Sequence, residues 1–103
     1  MEYQLVIQFP GDSLINYDEM VAIEDDLTAA IGNSAEVDGH DVGSGEMNIF
    51  ILTRDPVRTF QQAKPVLGRR QSLQKVTAAY RLIGGNEFTV IWPEGATGKF
   101  SVA

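Results

Sequence analysis

A chain of 103 residues, 44% apolar and 21% charged, has the size and make-up of one globular domain spanning residues 1–103. The absence of cysteine excludes a disulfide framework, a zinc ribbon and a thiol nucleophile, and no apolar run is long enough for a transmembrane helix. The net charge of −6 is unevenly divided: residues 1–53 carry eleven acids and no Lys or Arg, while residues 54–103 carry all eight bases and three acids.

Tyr3 to Phe9 alternates Tyr3, Leu5, Ile7 and Phe9 against Gln4, Val6 and Gln8, the period of a strand. Pro10-Gly11-Asp12 ends it with turn chemistry. A helix is predicted from about Tyr17 to Ile31. Asn16 is its N-cap, Glu19 closes a capping-box-like start, and Ile15 and Met20 are placed to form a staple. Met20, Ile23, Leu27 and Ile31 form its apolar stripe, and Gly32 stands where a helix commonly ends. Glu24, Asp25 and Asp26 lie past its middle, where the helix dipole gives anions no support. They read as a solvated acidic face or, alternatively, as a partner-binding one.

Ala35 to Val42 is a weaker strand, and Gly43-Ser44-Gly45 is a tight connection to the most apolar run, Met47 to Thr53. By alternation, Ile49 and Ile51 belong to the helix side of that strand and Phe50 to the other. Asp55 as N-cap and Pro56 at the first helical position start a second helix. Val57, Phe60, Ala63 and Leu67 space as its buried face. Pro65 is expected to end or kink it early, with a loop from Gly68 to Ser72. Val76, Ala78, Tyr80 and Leu82 alternate as a strand, Gly84-Gly85-Asn86 turns, and Phe88, Val90 and Trp92 alternate as a fifth strand. The tail from Pro93 reads as irregular.

The order β-α-β-β-α-β-β predicts an α+β, ferredoxin-like two-layer sandwich, an antiparallel sheet with both helices on one face. Val6, Phe50 and Leu52 then fall on the uncovered face. Such a face predicts a homodimer, with the tail folding over the sheet as the alternative cover.

The densest polar cluster is Asp38-Gly39-His40-Asp41-Val42-Gly43-Ser44-Gly45-Glu46. Carboxylates and an imidazole at Asp38, His40 and Glu46 are the donor set of a divalent metal site, but strand alternation puts Asp38 and His40 on one face and Asp41 on the other, and no established metal-ligand spacing is present. Gly43-Ser44-Gly45 is too short for a phosphate loop, has no following helix or lysine, and is flanked by acids. Ser44 beside His40 and Asp38 has the residue types of a hydrolytic triad without the nucleophile elbow that would present the serine. The ligand-binding candidates are thus Asp38, His40, Asp41, Ser44, Glu46 and Asn48, with no catalytic residue, metal ligand or cofactor assigned.

The bases Arg54, Arg58, Lys64, Arg69, Arg70, Lys75 and Arg81 form a basic stretch. The open sheet face of Gln4, Val6, Gln8, Asn48, Phe50 and Leu52 lacks the basic-aromatic pattern by which RNA-binding domains of this topology stack bases. Together with the overall acidity, this argues against nucleic acid as a partner.

The stretch DGHDVGSGEMNIF over Asp38–Phe50, followed by ILTRDP, resembles a pattern in short bacterial proteins of unassigned function with an α/β sandwich. The resemblance implies a bacterial source and a free-standing domain, and carries over no site residue. Small acidic domains of this size also resemble immunity proteins, which engage a toxin through a charged face. Met1-Glu2-Tyr3-Gln4 shows no basic n-region before an apolar stretch, so no secretion signal is read and a cytoplasmic setting is expected. The reading is a non-enzymatic protein-binding module using an acidic surface, with Glu24, Asp25 and Asp26 as partner-binding candidates. The alternative is a small-molecule or metal-binding regulatory domain with its ligand at the Asp38–Glu46 loop. An enzyme reading would place acid–base work on His40 with Asp38 or Glu46.

Overall fold

The computed structural model describes residues 2–10, 17–43, 45–96 and 100–102. They form β1 (Tyr3–Pro10), α1 (Tyr17–Ile31), a 3-10 turn (Gly32–Ser34), β2 (Ala35–Gly43), β3 (Glu46–Thr53), α2 (Pro56–Arg69), β4 (Thr77–Leu82) and β5 (Thr89–Trp92). The described strands make one five-stranded antiparallel sheet in the order β2-β3-β1-β4-β5, an α+β architecture. The expected caps at Ile15 and Asn16 and the turn at Gly11-Asp12 lie outside the described residues.

One core organises the molecule. Leu5, Ile7 and Phe9 of β1 and Met47, Ile49 and Ile51 of β3 pack against Met20, Ile23, Leu27 and Ile31 of α1 and Phe60, Ala63, Val66 and Leu67 of α2. Both helices therefore lie on the same sheet face, side by side. The α1 stripe is the one read from its spacing. At its end Gly32 takes φ +66°, a left-handed conformation that costs a glycine little and lets the chain leave the helix toward β2.

The second helix departs from expectation in three ways. Asp55 does cap it, its carboxylate accepting from the Arg58 N–H at 3.1 Å, but Val57 is exposed and Thr59 and Val66 are buried instead. The Thr59 hydroxyl is accommodated by a 2.7 Å bond with Thr53 Oγ1, which also accepts from the Asp55 N–H at 3.0 Å. Pro65 neither ends nor shortens the helix. Pro65 and Gln61, whose carbonyl loses its helical donor, are both exposed, so water can take that bond, while Val66 and Leu67 beyond are buried and hold the next turn down. Gly68 and Arg69 are accordingly helical, and the turn out is made at Gln71, with φ +58° and the Ser72 N–H on the Leu67 carbonyl at 2.9 Å.

Two register shifts break the strand alternation. In β2 one falls between Val37 and Gly39, and in β4–β5 another leaves Ala78 opposite Trp92 but Ala79 opposite Val90. Val90 and Trp92 therefore face opposite sides, correcting the expectation that they share one. Trp92 reaches the helix side, 5.9 Å from the Phe60 ring, with its indole N–H on the Leu73 carbonyl at 2.8 Å.

The other sheet face is not open. Val6 and Ala79 are fully buried there although neither belongs to the helix-side core. The cover comes from the C-terminal segment: Gln8 donates to the Ser101 carbonyl at 3.0 Å, and Phe100 stands edge-on to Phe88 at 5.0 Å. Residues 100–102 of the tail that read as irregular thus lie over the face from which self-association was expected, and Phe50 and Leu52 are half-buried.

Candidate functional site

The sheet order turns the division of charge along the chain into a division in space. The acid-only half supplies β2, β3 and α1, and β2 forms one edge; the basic half supplies α2, β4 and β5, and β5 forms the other edge. The halves meet where α1 packs on α2, and there Arg70 donates from Nη2 and Nε to Asp26 Oδ2 at 2.7 and 3.1 Å. Both side chains are substantially exposed, so this pair contributes on the order of 0.2–1 kcal/mol, and its main effect is to hold Asp26 at the seam.

The other expected partner-binding residues separate. Glu24 faces β2, where its Oε1 lies 2.8 Å from His40 Nδ1. Asp25 is exposed on α1. The His40 contact follows from the bulge. Opposite the helix-side Ile51 and Ile49 stand Val37 and His40, so the extra residue at Asp38 turns His40 toward α1. Alternation had paired Asp38 with His40 on one face; the bulge removes that relation. Gly39, at φ +119°, supplies the backbone conformation the bulge needs, and open space surrounds the position its Cβ would occupy.

The remaining residues of the polar cluster do not gather into one site. Asp41 lies opposite Asn48, on the covered-face side of the sheet, and is exposed. Asn48 is buried, its Oδ1 accepting from Gln8 Nε2 at 3.0 Å and its Nδ2 without a partner. Glu46 is half-buried at the start of β3, and Ser44 lies outside the described residues. Among the described residues no three His, Cys, Asp or Glu side chains converge as metal ligands. The Glu24 carboxylate orients the His40 imidazole as in an acid–base pair.

What β2 does present is a row of carboxylates. Glu36, Asp38 and Asp41 are all exposed on this edge strand, and none pairs with a base among the described residues. Charges and a bulge on an edge strand also discourage strand-to-strand association, so this row repels another sheet edge while attracting cations. Sequence reasoning placed the acids of α1 ahead of those of β2 because it could not see that Glu24 and Asp26 take partners within the fold. Comparison of the chain with models of protein families, with curated proteins and with solved structures finds no match.

Proposed function

We propose that the protein is a non-enzymatic binding module that receives a basic segment of a partner protein on the acidic edge formed by β2 and the neighbouring flank of α1. The observation that carries this reading is the row Glu36, Asp38 and Asp41, three exposed carboxylates that pair with no base among the described residues, on the edge strand opposite to β5 of the basic half. Asp25 is a further exposed acid, next in sequence to the Glu24 that meets His40 of β2. The frame is a ferredoxin-like plait extended by one strand. It is supported by the element order and by β1 lying between β3 and β4, and β5 is the addition to a four-stranded sheet.

The bulge and the charges of β2 favour recognition through side-chain charge over strand addition. Such recognition is sensitive to salt, because the Debye length falls from about 10 Å at 0.1 M to about 3 Å at 1 M. A lysine-rich peptide titrated calorimetrically into the protein should bind saturably at low salt and lose binding at high salt. Glu36→Gln, Asp38→Asn and Asp41→Asn together should weaken it at least about tenfold, a loss of about 1.4 kcal/mol. Glu87→Gln with Glu94→Gln removes charge from the basic half of the chain and should have little effect. A loss per charge removed as large as that of the triple variant would reduce the interaction to net charge and overturn the reading.

A further inference from the structure

On the sheet face covered by the C-terminal segment is a cavity of about 440 Å³ lined by Gln4, Phe50, Arg81, Phe88, Phe100 and Val102 among others. We infer that this cavity is a binding site for a small monocarboxylate with a flat apolar body, its carboxylate held by Arg81 and its body lying among Phe50, Phe88 and Phe100. This inference is independent of the acidic edge.

Arg81 carries the argument. It projects from β4 beside Gln4 of β1, its partner in register. Its Nε donates to Gln4 Oε1 at 3.0 Å and its Nη1 to the Gly85 carbonyl at 2.8 Å. Both acceptors are neutral. They fix the plane of the guanidinium and leave three of its five N–H groups without a partner among the described residues. The side chain is half-buried, and its guanidinium carbon stands 5.6 Å from the Phe88 ring centroid. In a protein with fourteen acids, no described carboxylate pairs with it. A positioned, partly desolvated cation satisfied only by neutral acceptors favours an anion more than an exposed one does, because water screens it less.

The walls select the rest of the ligand. Phe50 comes from β3, Phe88 from the β4–β5 connection and Phe100 from the C-terminal segment, so three aromatic rings from separate parts of the chain border one volume. The volume is within the usual range for small-molecule sites, and Asn86 and Ser101 add polar groups beside the rings. A lone guanidinium matches a single negative charge and the two oxygens of a carboxylate. A phosphate dianion would leave charge uncompensated among phenyl rings. A second hollow of similar volume, at the end of α2, is the poorer anion site: Glu19 lines it together with Arg69, Arg70 and Lys75, and Arg70 is already taken by Asp26.

The test is a calorimetric titration of the full chain with 2-naphthoate, and with 2-naphthamide as the same ring system without the charge. Wild type should bind 2-naphthoate saturably at one site, at least about tenfold more tightly than the amide. Arg81→Gln should bring the acid down to the affinity of the amide, whereas Lys64→Gln, which removes a cation near Trp92, should leave it unchanged. Phe100→Ala keeps the guanidinium but removes one wall, and should weaken both probes. That variant keeps the inference testable if Arg81→Gln does not fold. Equal affinity for acid and amide, undiminished binding in folded Arg81→Gln or in Phe100→Ala, or no saturable binding of the acid would each overturn the inference.

Discussion

Ile51 and Phe50 are adjacent on β3 and meet different surroundings. Ile51 is fully buried among the helices, while Phe50 is half-buried on the face covered by the C-terminal segment. Ile51→Ala should cost about 2–5 kcal/mol, the range for a large-to-small change in a close-packed core. Phe50→Ala should cost less, about 1–3 kcal/mol, because part of the ring is already in contact with water. Denaturant titration at several protein concentrations checks both. The Phe50 loss should be the same at each concentration if the cover is the chain's own tail, and should grow with concentration if a second subunit supplies the cover. The sides taken by Ile49, Phe50 and Ile51 were legible in the sequence because β3 is regular from end to end. The partner of His40 was not. Alternation assigns it a face only if no residue is inserted upstream, and the bulge at Asp38 depends on a backbone conformation at Gly39 for which a lone glycine is a weak signal.

At the level of elements, apolar spacing located both helices and the strands, and Asp55 marked the start of α2, because those signals are local. What spacing could not supply was the strength of burial beyond a local breaker. Pro65 forbids a helical bond, yet the turn after it persists because Val66 and Leu67 are anchored in the core. Pro65→Ala restores the donor to the Gln61 carbonyl at an exposed site, while giving back some backbone freedom to the unfolded chain. The net effect should be a stabilisation of about 1–2 kcal/mol, read as a rise in the midpoint of denaturant unfolding with an unchanged slope. A loss of stability would show that the proline is itself a packing contact. The β4–β5 register shift was equally silent in the sequence: Phe88, Val90 and Trp92 alternate cleanly, whereas in the fold Trp92 meets Phe60 and the Leu73 carbonyl on the helix side.

At the scale of the whole molecule, three-dimensional order decides what the charge pattern means. Acids and bases separated in sequence would neutralise one another if the halves interleaved. Instead β1 divides the sheet, with β2 and β3 to one side and β4 and β5 to the other. Asp26 and Arg70 pair at the seam, and the carboxylates of β2 stand at the far edge. The candidate site was therefore legible as a composition, eleven acids without a base in residues 1–53, and not as particular residues. Glu24 and Asp26 take partners within the fold, and nothing in the sequence around Glu36 marks it as an exposed edge-strand residue. Arg81 was similarly one base in a stretch of seven until the cross-strand Gln4 and the tail gave it a pocket. The most direct test of the proposed acidic edge is a residue-resolved map: the backbone amide spectrum of the labelled protein, followed through a titration with a lysine-rich peptide at low salt. The account predicts shifts concentrated on Ala35–Gly43 and on the flank of α1 that carries Asp25. Shifts spread evenly over the acids of the whole surface, or centred on the sheet face beneath the C-terminal segment, would contradict it.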